Sequence, residues 1–214
     1  MGYFSNLKQL QLDILKEIGN IGAGNAASSL SDFLGMSVMM TVPKVNVVSF
    51  DEMMEITGGS EHIQAAVFVP FEGEINGSVY ILFAPEDADR FVKLLTNDPS
   101  QTVLNSNNSL ALSAFKELGN ILVGSYLRAL SDFSNLQLYQ HVPNVTIDMA
   151  GAILTEGILE ISTVSDEVIL IETVLNELGD NKQPMSGHFV LLPDPLTYKK
   201  IFKALGVSSD DEQS

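Results

Sequence analysis

Two sets of polar residues, one hundred positions apart, have the types and the spacing that could carry chemistry. They are Asp13, Glu17 and Asn20, and Ser113, Glu117 and Asn120. The spacing within each set is i, i+4 and i+7, which places its side chains along one face of an α-helix. A carboxylate accepts hydrogen bonds from cations, and a carboxamide can hold a water without changing its protonation. Each set could therefore bind a cationic group and hold a water beside it.

A structural interpretation of these sets competes with the chemical one. A Glu on a helix is most often a solvated charge, and Gly-Asn inside a helix most often serves packing or capping. One isolated copy would favour that interpretation, whereas two copies with the same offsets favour function. The first position holds Asp13 in one copy and Ser113 in the other. Because these two side chains differ in charge, helix-surface hydrogen bonding or an interface contact is expected there instead of a shared catalytic role.

The two sets belong to an internal repeat. Residues 13–45 align with residues 113–145 without a gap, and thirteen of the 33 positions are identical. In the first copy these are Lys16, Glu17, Gly19, Asn20, Ile21, Gly24, Leu30, Ser31, Asp32, Phe33, Val42, Pro43 and Val45. A weaker similarity follows, since residues 77–95 and 187–205 both predict a strand, a Pro and a helix. The chain is therefore predicted to be a tandem duplication, with repeats of about 7–96 and 109–207 inside one domain, 1–207.

Each set is predicted to lie on a long amphipathic helix. Apolar residues at three- and four-residue spacing form its buried stripe: Leu7, Leu10, Ile14, Ile18 and Ile21, then Leu112, Phe115, Leu118 and Leu122. Gly19 could instead end a shorter helix, but the equivalent segment 121–133 is strongly helical and favours one long helix per half. Gly19, Gly22 and Gly24 each cost a helix up to about 1 kcal/mol relative to Ala, so a close approach of another backbone is expected there.

Segments typical of β-strands follow each helix. They are residues 45–50, 63–71, 78–83, 145–152, 158–164, 168–175 and 188–192. Asn76-Gly77 is a hairpin signal, and Pro43 and Pro143 are interpreted as structural turn residues. The predicted fold class is α/β in the α+β sense, built from tandem helix-strands-helix units with pseudo-twofold symmetry. Long helices should cover one or both faces of a joined antiparallel sheet.

The combined spacing resembles the signature of a known family. The pattern [Asp/Ser]-x3-Glu-x2-Asn-x22-Pro fits twice, at Asp13, Glu17, Asn20 and Pro43, and at Ser113, Glu117, Asn120 and Pro143. It is similar to the signature of the CheC-type chemotaxis phosphatases, a family that includes CheX and FliY, and the resemblance extends over essentially the whole chain. CheX-like members carry one motif, and FliY-like members add a flagellar-switch domain. Two motifs and an end at Ser214 are most similar to the CheC branch.

The resemblance implies a substrate and a role for each residue. The substrate would be the aspartyl-phosphate of the response regulator CheY, which supplies the acceptor carboxylate and its own Mg²⁺, so this chain needs no cofactor or metal of its own. Asn20 and Asn120 would hold a water in line with the phosphorus. Glu17 and Glu117 would dock on a Lys of the regulator through a charge-assisted hydrogen bond. The family also implies binding to the receptor deamidase CheD, which leaves a non-enzymatic adaptor as the alternative function.

Composition limits the other chemistry and the partners. There is no Cys, and His62, His141 and His188 show neither metal-ligand spacing nor a Ser-His-Asp pattern. The formal charge of −16 disfavours nucleic acid and anionic lipid as partners. Without a secretory signal or an apolar run of about 20 residues, a cytoplasmic protein that does not insert into membranes is expected. The duplication supplies an internal dimer, so a monomer is expected, with a mobile connector at 97–109 and a mobile acidic tail at 208–214.

Overall fold

The two halves of the chain repeat one order of elements in the computed structural model, which describes residues 9–105, 108–161, 167–177, 184–194 and 198–206. The first half comprises α1 (Gln9–Leu34), β1 (Val38–Ser49), α2 (Phe50–Ile56), β2 (Ile63–Gly73), β3 (Gly77–Phe83) and α3 (Pro85–Thr96). The second half comprises α4 (Ser109–Ser134), β4 (Leu138–Gln140), β5 (Asn144–Met149), α5 (Ala150–Ile161), β6 (Glu167–Glu177), β7 (Met185–Pro193) and α6 (Tyr198–Ala204). In the second half, β4 and β5 together occupy the place of β1.

The strands form one antiparallel sheet that both halves share. Its order is β1-β6-β7-β3-β2, with β4 and β5 both paired to the outer edge of β2. The first strand of each half therefore pairs with the second strand of the other half, and β7 meets β3 at the centre. This order is the same from either edge, as expected for a pseudo-twofold duplication. The predicted fold class, an antiparallel sheet packed by helices, is confirmed.

Helices cover both faces of the sheet. The larger core lies between one face and the long helices α1 and α4, where Leu30, Phe115, Leu118 and Leu122 are fully buried. The smaller core lies on the opposite face and includes Met53 of α2 and Leu154 of α5, together with strand residues such as Leu82 and Leu170. No described helix is long and apolar enough to cross a membrane. The polar sets are therefore carried by helices whose other sides are fixed to the sheet.

The prediction of one long helix in each half is confirmed, and each helix has 26 residues. The two helices approach closely at Gly22, where an added Cβ would lie 2.9 Å from the Cα of Tyr126. The Tyr126 hydroxyl lies 3.2 Å from Oγ1 of Thr173, and burial raises the pKa of Tyr126 to about 12. The three atoms nearest to a Cβ added at Gly19 belong to the side chains of Val42 and Tyr126, and a Cβ added at Gly24 has nothing within 4 Å. A close approach of another backbone was expected at all three glycines, and it is found at Gly22.

Gly22→Ala is expected to destabilise the protein by about 1–3 kcal/mol, because the new methyl group would push α1 away from the backbone of α4. Gly24→Ala is the matched control, since Gly24 lies on the same helix with open space around it. It is expected to stabilise the fold by up to about 1 kcal/mol through helix propensity. Denaturant unfolding measures both values, and equal effects from the two substitutions would contradict the close helix contact.

Three strand predictions need correction. Residues 158–164 were expected to form a strand, but α5 continues to Ile161, and residues 162–166 lie outside the described part of the chain. A short apolar run fits a helix or a strand by periodicity alone, and here the start of the run continues the helix that begins at Ala150. The strand expected at 145–152 ends at Met149, where this helix begins. The strand expected at 45–50 ends at Ser49, because Phe50 begins α2 behind a capping box formed by Ser49 and Glu52.

The connector between the halves is anchored where it is described. Asp98 accepts hydrogen bonds from Ser100 and Gln101, which lower the pKa of its carboxyl group. The backbone N–H of Val103 donates to Asp89 of α3 at 2.7 Å, and the Val103 side chain is fully buried. This part of the segment expected to be mobile is thus packed against the fold, while residues 106–107 and the tail at 208–214 lie outside the described residues.

Candidate functional site

Both predicted sets lie on the solvent-facing sides of the long helices. Glu17 on α1 and Glu117 on α4 are exposed, and Asn20 and Asn120 are half-buried one turn further along. Each half therefore brings its Glu and its Asn together on one helix face, beside the chain segment that contains Pro43 or Pro143. The prediction that each set lies on the surface of a helix therefore agrees with the structure. Their surroundings differ between the halves.

In the first site, the carboxamide of Asn20 is tied to the backbone of β1. Its Oδ1 accepts a hydrogen bond from the N–H of Val42 at 2.9 Å, and its Nδ2 donates to the carbonyl of the same residue at 3.2 Å. Nδ2 also donates to the carbonyl of Lys16 at 3.0 Å. The Asn20 amide thus joins α1 to the sheet, and using it on a partner would require breaking these bonds or sharing them.

A bulge in β1 makes this arrangement possible. The register with β6 pairs Thr41 with Val174 and then Lys44 with Glu172, so two residues of β1 lie opposite one residue of β6. The extra residue interrupts the ladder of β1 at Val42, whose side chain is buried against the core. The backbone groups of Val42 then pair with Asn20. Pro43, predicted to be a structural turn residue, lies within this bulge.

In the second site, the carboxamide of Asn120 is held by a side chain. Its Oδ1 accepts a hydrogen bond of 2.7 Å from Nε2 of Gln140, the last residue of β4. The neighbouring Val142 is 71% exposed, whereas its counterpart Val42 is 1% exposed. No hydrogen bond joins Asn120 to Val142 in this described part of the chain, so the Asn120 amide does not tie the helix to the strand backbone.

An open hollow of about 410 Å³ accompanies this difference. It is lined by Ser113, Lys116, Glu117, Asn120, Gln140, His141, Val142 and Pro143. The hollow forms because the strand leaves β2 after Gln140 and rejoins it only at Asn144, while the N–H of His141 still bonds to the carbonyl of Pro70. Pro143 lies in this break. The second site is therefore a concave surface with a Glu, an Asn and a Lys. In the first site, the Asn20 amide is bonded to the strand backbone instead.

The remaining polar residues have simple surroundings. Within the described chain, Glu17 and Glu117 make no hydrogen bond or ion pair, so both carboxylates are available to a cation from outside. Asp13 accepts a hydrogen bond from Gln9 at 2.9 Å, which is the helix-surface bond expected there. Carboxylates that face solvent and carboxamides held in place can dock a cationic partner and orient a water beside it.

Four lining residues lie outside the motif that sequence reasoning singled out: Lys116, Gln140, His141 and Val142. Lys116 is identical to Lys16 in the repeat, so the comparison of the two copies could have identified it. Gln140 corresponds to Met40, and no comparison of the copies could have found it.

Metal binding and histidine chemistry gain no support from the geometry. The described residues contain no group of three His, Asp or Glu side chains that could hold a metal ion. His62 and His141 are exposed, and His141 lies 3.3 Å from Glu72. His188 is largely buried on β7, and burial lowers its pKa against the opposing effect of Glu172. The histidines are therefore surface or packed residues, as expected.

Comparison with known proteins identifies the fold and the family. The model of the CheC-like family matches residues 10–47 and 110–147, the two segments that contain the polar sets. The CheY-P phosphatase CheC of Bacillus subtilis (strain 168) is 38% identical over 209 residues, which are 97% of this chain and 100% of that protein. The flagellar motor switch phosphatase FliY of the same organism is 25% identical over 66% of this chain and 37% of its own length.

Solved structures share the fold at lower identity. Thermotoga maritima FliY superposes with a TM-score of 0.76 at 21% identity and covers 95% of this chain and 99% of that one. The FliM middle domain of H. pylori has a TM-score of 0.66 at 11% identity, over 92% of this chain and 99% of that one. These solved structures show that the fold is shared. Membership of a family rests on the Bacillus subtilis relative, which aligns over nearly the full length, and on the two segments that match the family model. This chain belongs to the CheC-like family.

Proposed function

We propose that this protein is a phosphatase that hydrolyses the aspartyl-phosphate of a CheY-type response regulator. The observation that carries this proposal is the second site, where Glu117 and Asn120 face an open hollow on a helix surface. The same pair of residues recurs as Glu17 and Asn20, in a chain that aligns over nearly its full length with a relative named as a CheY-P phosphatase. An open hollow on an exposed helix face can be reached by a protein substrate.

The chemistry required of this chain is positioning. A water oxygen bonds to phosphorus, the bond from phosphorus to the aspartyl oxygen breaks, and the products are inorganic phosphate and a free aspartate of the regulator. Phosphoryl transfer needs in-line geometry and charge compensation more than covalent catalysis. Asn120 supplies an acceptor and donors that can orient the water, and the charge compensation is assigned to Mg²⁺ held by the regulator. No metal of this chain takes part in the proposal.

The glutamates are proposed to dock the partner. A carboxylate would repel the phosphoryl oxygens, so Glu17 and Glu117 are assigned to a cationic side chain of the regulator, such as an active-site Lys. Both carboxylates are exposed and make no bond within the described chain, which leaves them ready for such a contact.

Wild-type protein is expected to accelerate the decay of a phosphorylated CheY-type regulator in the presence of Mg²⁺, measured as release of inorganic phosphate. The double variant Glu17→Gln/Glu117→Gln should raise KM by about tenfold or more with little change in kcat, since a hydrogen bond to a charged group contributes about 1.5–3 kcal/mol. Glu86→Gln, on the exposed start of α3, is the control and should change neither constant. Wild-type protein that binds the phosphorylated regulator without accelerating its decay would refute the phosphatase and favour an adaptor.

Three further properties are proposed for this protein. Binding to a CheD-type deamidase, a monomeric state and a cytoplasmic location are implied by the family, by the duplicated fold and by the sequence, respectively. A co-purification assay with CheD and a sedimentation measurement of mass would test the first two directly. An adaptor role could coexist with phosphatase activity, because α2 and α5 lie on the face of the sheet opposite to the polar sets.

A further inference from the structure

Gln140 belongs to neither polar set, yet it contacts the second one directly. It ends β4, lines the hollow together with Glu117 and Asn120, and donates its Nε2 hydrogen to Oδ1 of Asn120 at 2.7 Å. Opposite it, an added Cβ at Gly124 of α4 would lie 3.3 Å from Oε1 of Gln140. The carboxamide of Gln140 is therefore held between the helix and the strand, with its donor end on Asn120.

The acceptor end of the same side chain lowers the stability of the fold. Oε1 of Gln140 is buried and has no hydrogen-bond partner in the described chain. A buried carbonyl without a partner reduces stability, and native proteins contain few such groups. Gln140 therefore makes a hydrogen bond to Asn120 but leaves its own acceptor without a partner. Selection for stability alone would not favour such a residue at this position.

The first half of the chain shows that the fold does not require an amide at this place. Its equivalent residue is Met40, which is buried in the larger core. There, Asn20 bonds to the backbone of Val42 instead. One architecture therefore accepts Met or Gln, and the Gln occurs only where the Asn lies beside the open hollow.

We infer that Gln140 is a positioning residue that fixes the orientation of the Asn120 carboxamide for dephosphorylation at the second site, an inference that rests on the proposed function. The bond from Gln140 occupies one lone pair of Oδ1 and defines which end of the Asn120 amide is oxygen. The second lone pair and the Nδ2 hydrogens then stay available for the water and the substrate. Without this bond, the amide can rotate about its Cβ–Cγ bond and exchange its two ends.

The test compares two variants of Gln140, a control variant of Gln101 and an Asn120→Ala background for kcat, KM and melting temperature with a phosphorylated CheY-type regulator. Gln140→Met, which copies the first site, should lower kcat about three- to tenfold because Asn120 must then be ordered during the reaction, with KM unchanged. Its melting temperature should equal or exceed that of wild type, because the unpaired acceptor is removed. Gln140→Glu keeps the shape but replaces the donor with an acceptor, and should lower kcat at least as much.

Gln101→Met is the matched control, since Gln101 also has a buried, unpartnered Oε1 and one side-chain bond but lies in the connector. It should leave kcat unchanged. In an Asn120→Ala background, Gln140→Met should have no further effect on kcat, as expected for a residue that acts through Asn120.

Wild-type kcat in Gln140→Met would overturn the inference while leaving the phosphatase proposal intact, provided that Asn120→Ala is impaired. A parallel fall of kcat and melting temperature, with the same loss in the Asn120→Ala background, would make Gln140 a structural residue only. Full activity of Asn120→Ala would overturn the proposed role of the second site itself, and the inference with it.

Discussion

Asn120→Ala is expected to lower the rate of regulator dephosphorylation by about tenfold or more, whereas Asn20→Ala should retain most of the activity. The Asn20 amide bonds to both backbone groups of Val42, and each such bond contributes about 1 kcal/mol net. Releasing both would cost about 2 kcal/mol, which corresponds to a roughly thirtyfold smaller competent population at the first site. The Asn120 amide needs no such release, because it is held by Gln140 alone.

The two single variants and the double variant should be measured side by side as initial rates of phosphate release, at a temperature where all three are folded. The double variant should lose on the order of a hundredfold or more, because no positioning amide remains at either site. Equal losses in the two single variants would mean that Asn20 leaves Val42 at little cost. Full activity in the double variant would remove both asparagines from the mechanism.

Asn20→Ala is expected to destabilise the fold by about 2–4 kcal/mol, although it should affect activity least. The substitution leaves the N–H and the carbonyl of Val42 without their partners at the bulge of β1, and each unsatisfied buried group costs about 1–3 kcal/mol. Asn120→Ala removes only a side-chain bond at a more open place and should cost about 1 kcal/mol or less. Stability and activity should therefore rank the two asparagines in opposite order.

Denaturant unfolding monitored by circular dichroism gives both free energies. Asn25→Ala on the exposed face of α1 is a suitable control for the loss of an Asn from that helix, and it should change stability by about half a kcal/mol at most. If Asn20→Ala is as stable as this control, the two bonds to Val42 contribute nothing, and the expected difference in activity between the sites loses its physical basis.

The sequence alone predicts the parts of this protein that are periodic or repeated. The apolar stripes predict α1 and α4, and the shared offsets of Glu and Asn predict which helix face they occupy. The pairing of strands from different halves could not be predicted. The local pattern of apolar residues identifies a strand, but it does not show whether its partner strand comes from the same repeat or from the other one. The apolar residues of the run at 158–164 fit either a strand or a helix, and the sequence does not show that residues up to Ile161 continue the helix from Ala150.

The asymmetry between the sites was equally beyond the sequence. Identical residues at Val42 and Val142 suggest identical surroundings, yet one is buried and the other exposed. The difference arises from neighbours that the repeat does not conserve, Met40 in the core and Gln140 at the hollow. Equivalent residue types thus identify a candidate site, while its accessibility depends on tertiary contacts.

The exchange of strands between the halves also constrains how the chain can be made. Val38 of β1 pairs with Glu177 of β6. During synthesis, β1 therefore has no partner strand until most of the second repeat has been made. Closing so long a loop is slow and leaves an unpaired strand edge open to other chains in the meantime. The exposed Lys44 and Pro43 on that strand are residues that discourage such pairing. Neither repeat can complete its sheet alone, so severing the connector would yield two complementary fragments rather than two working phosphatases.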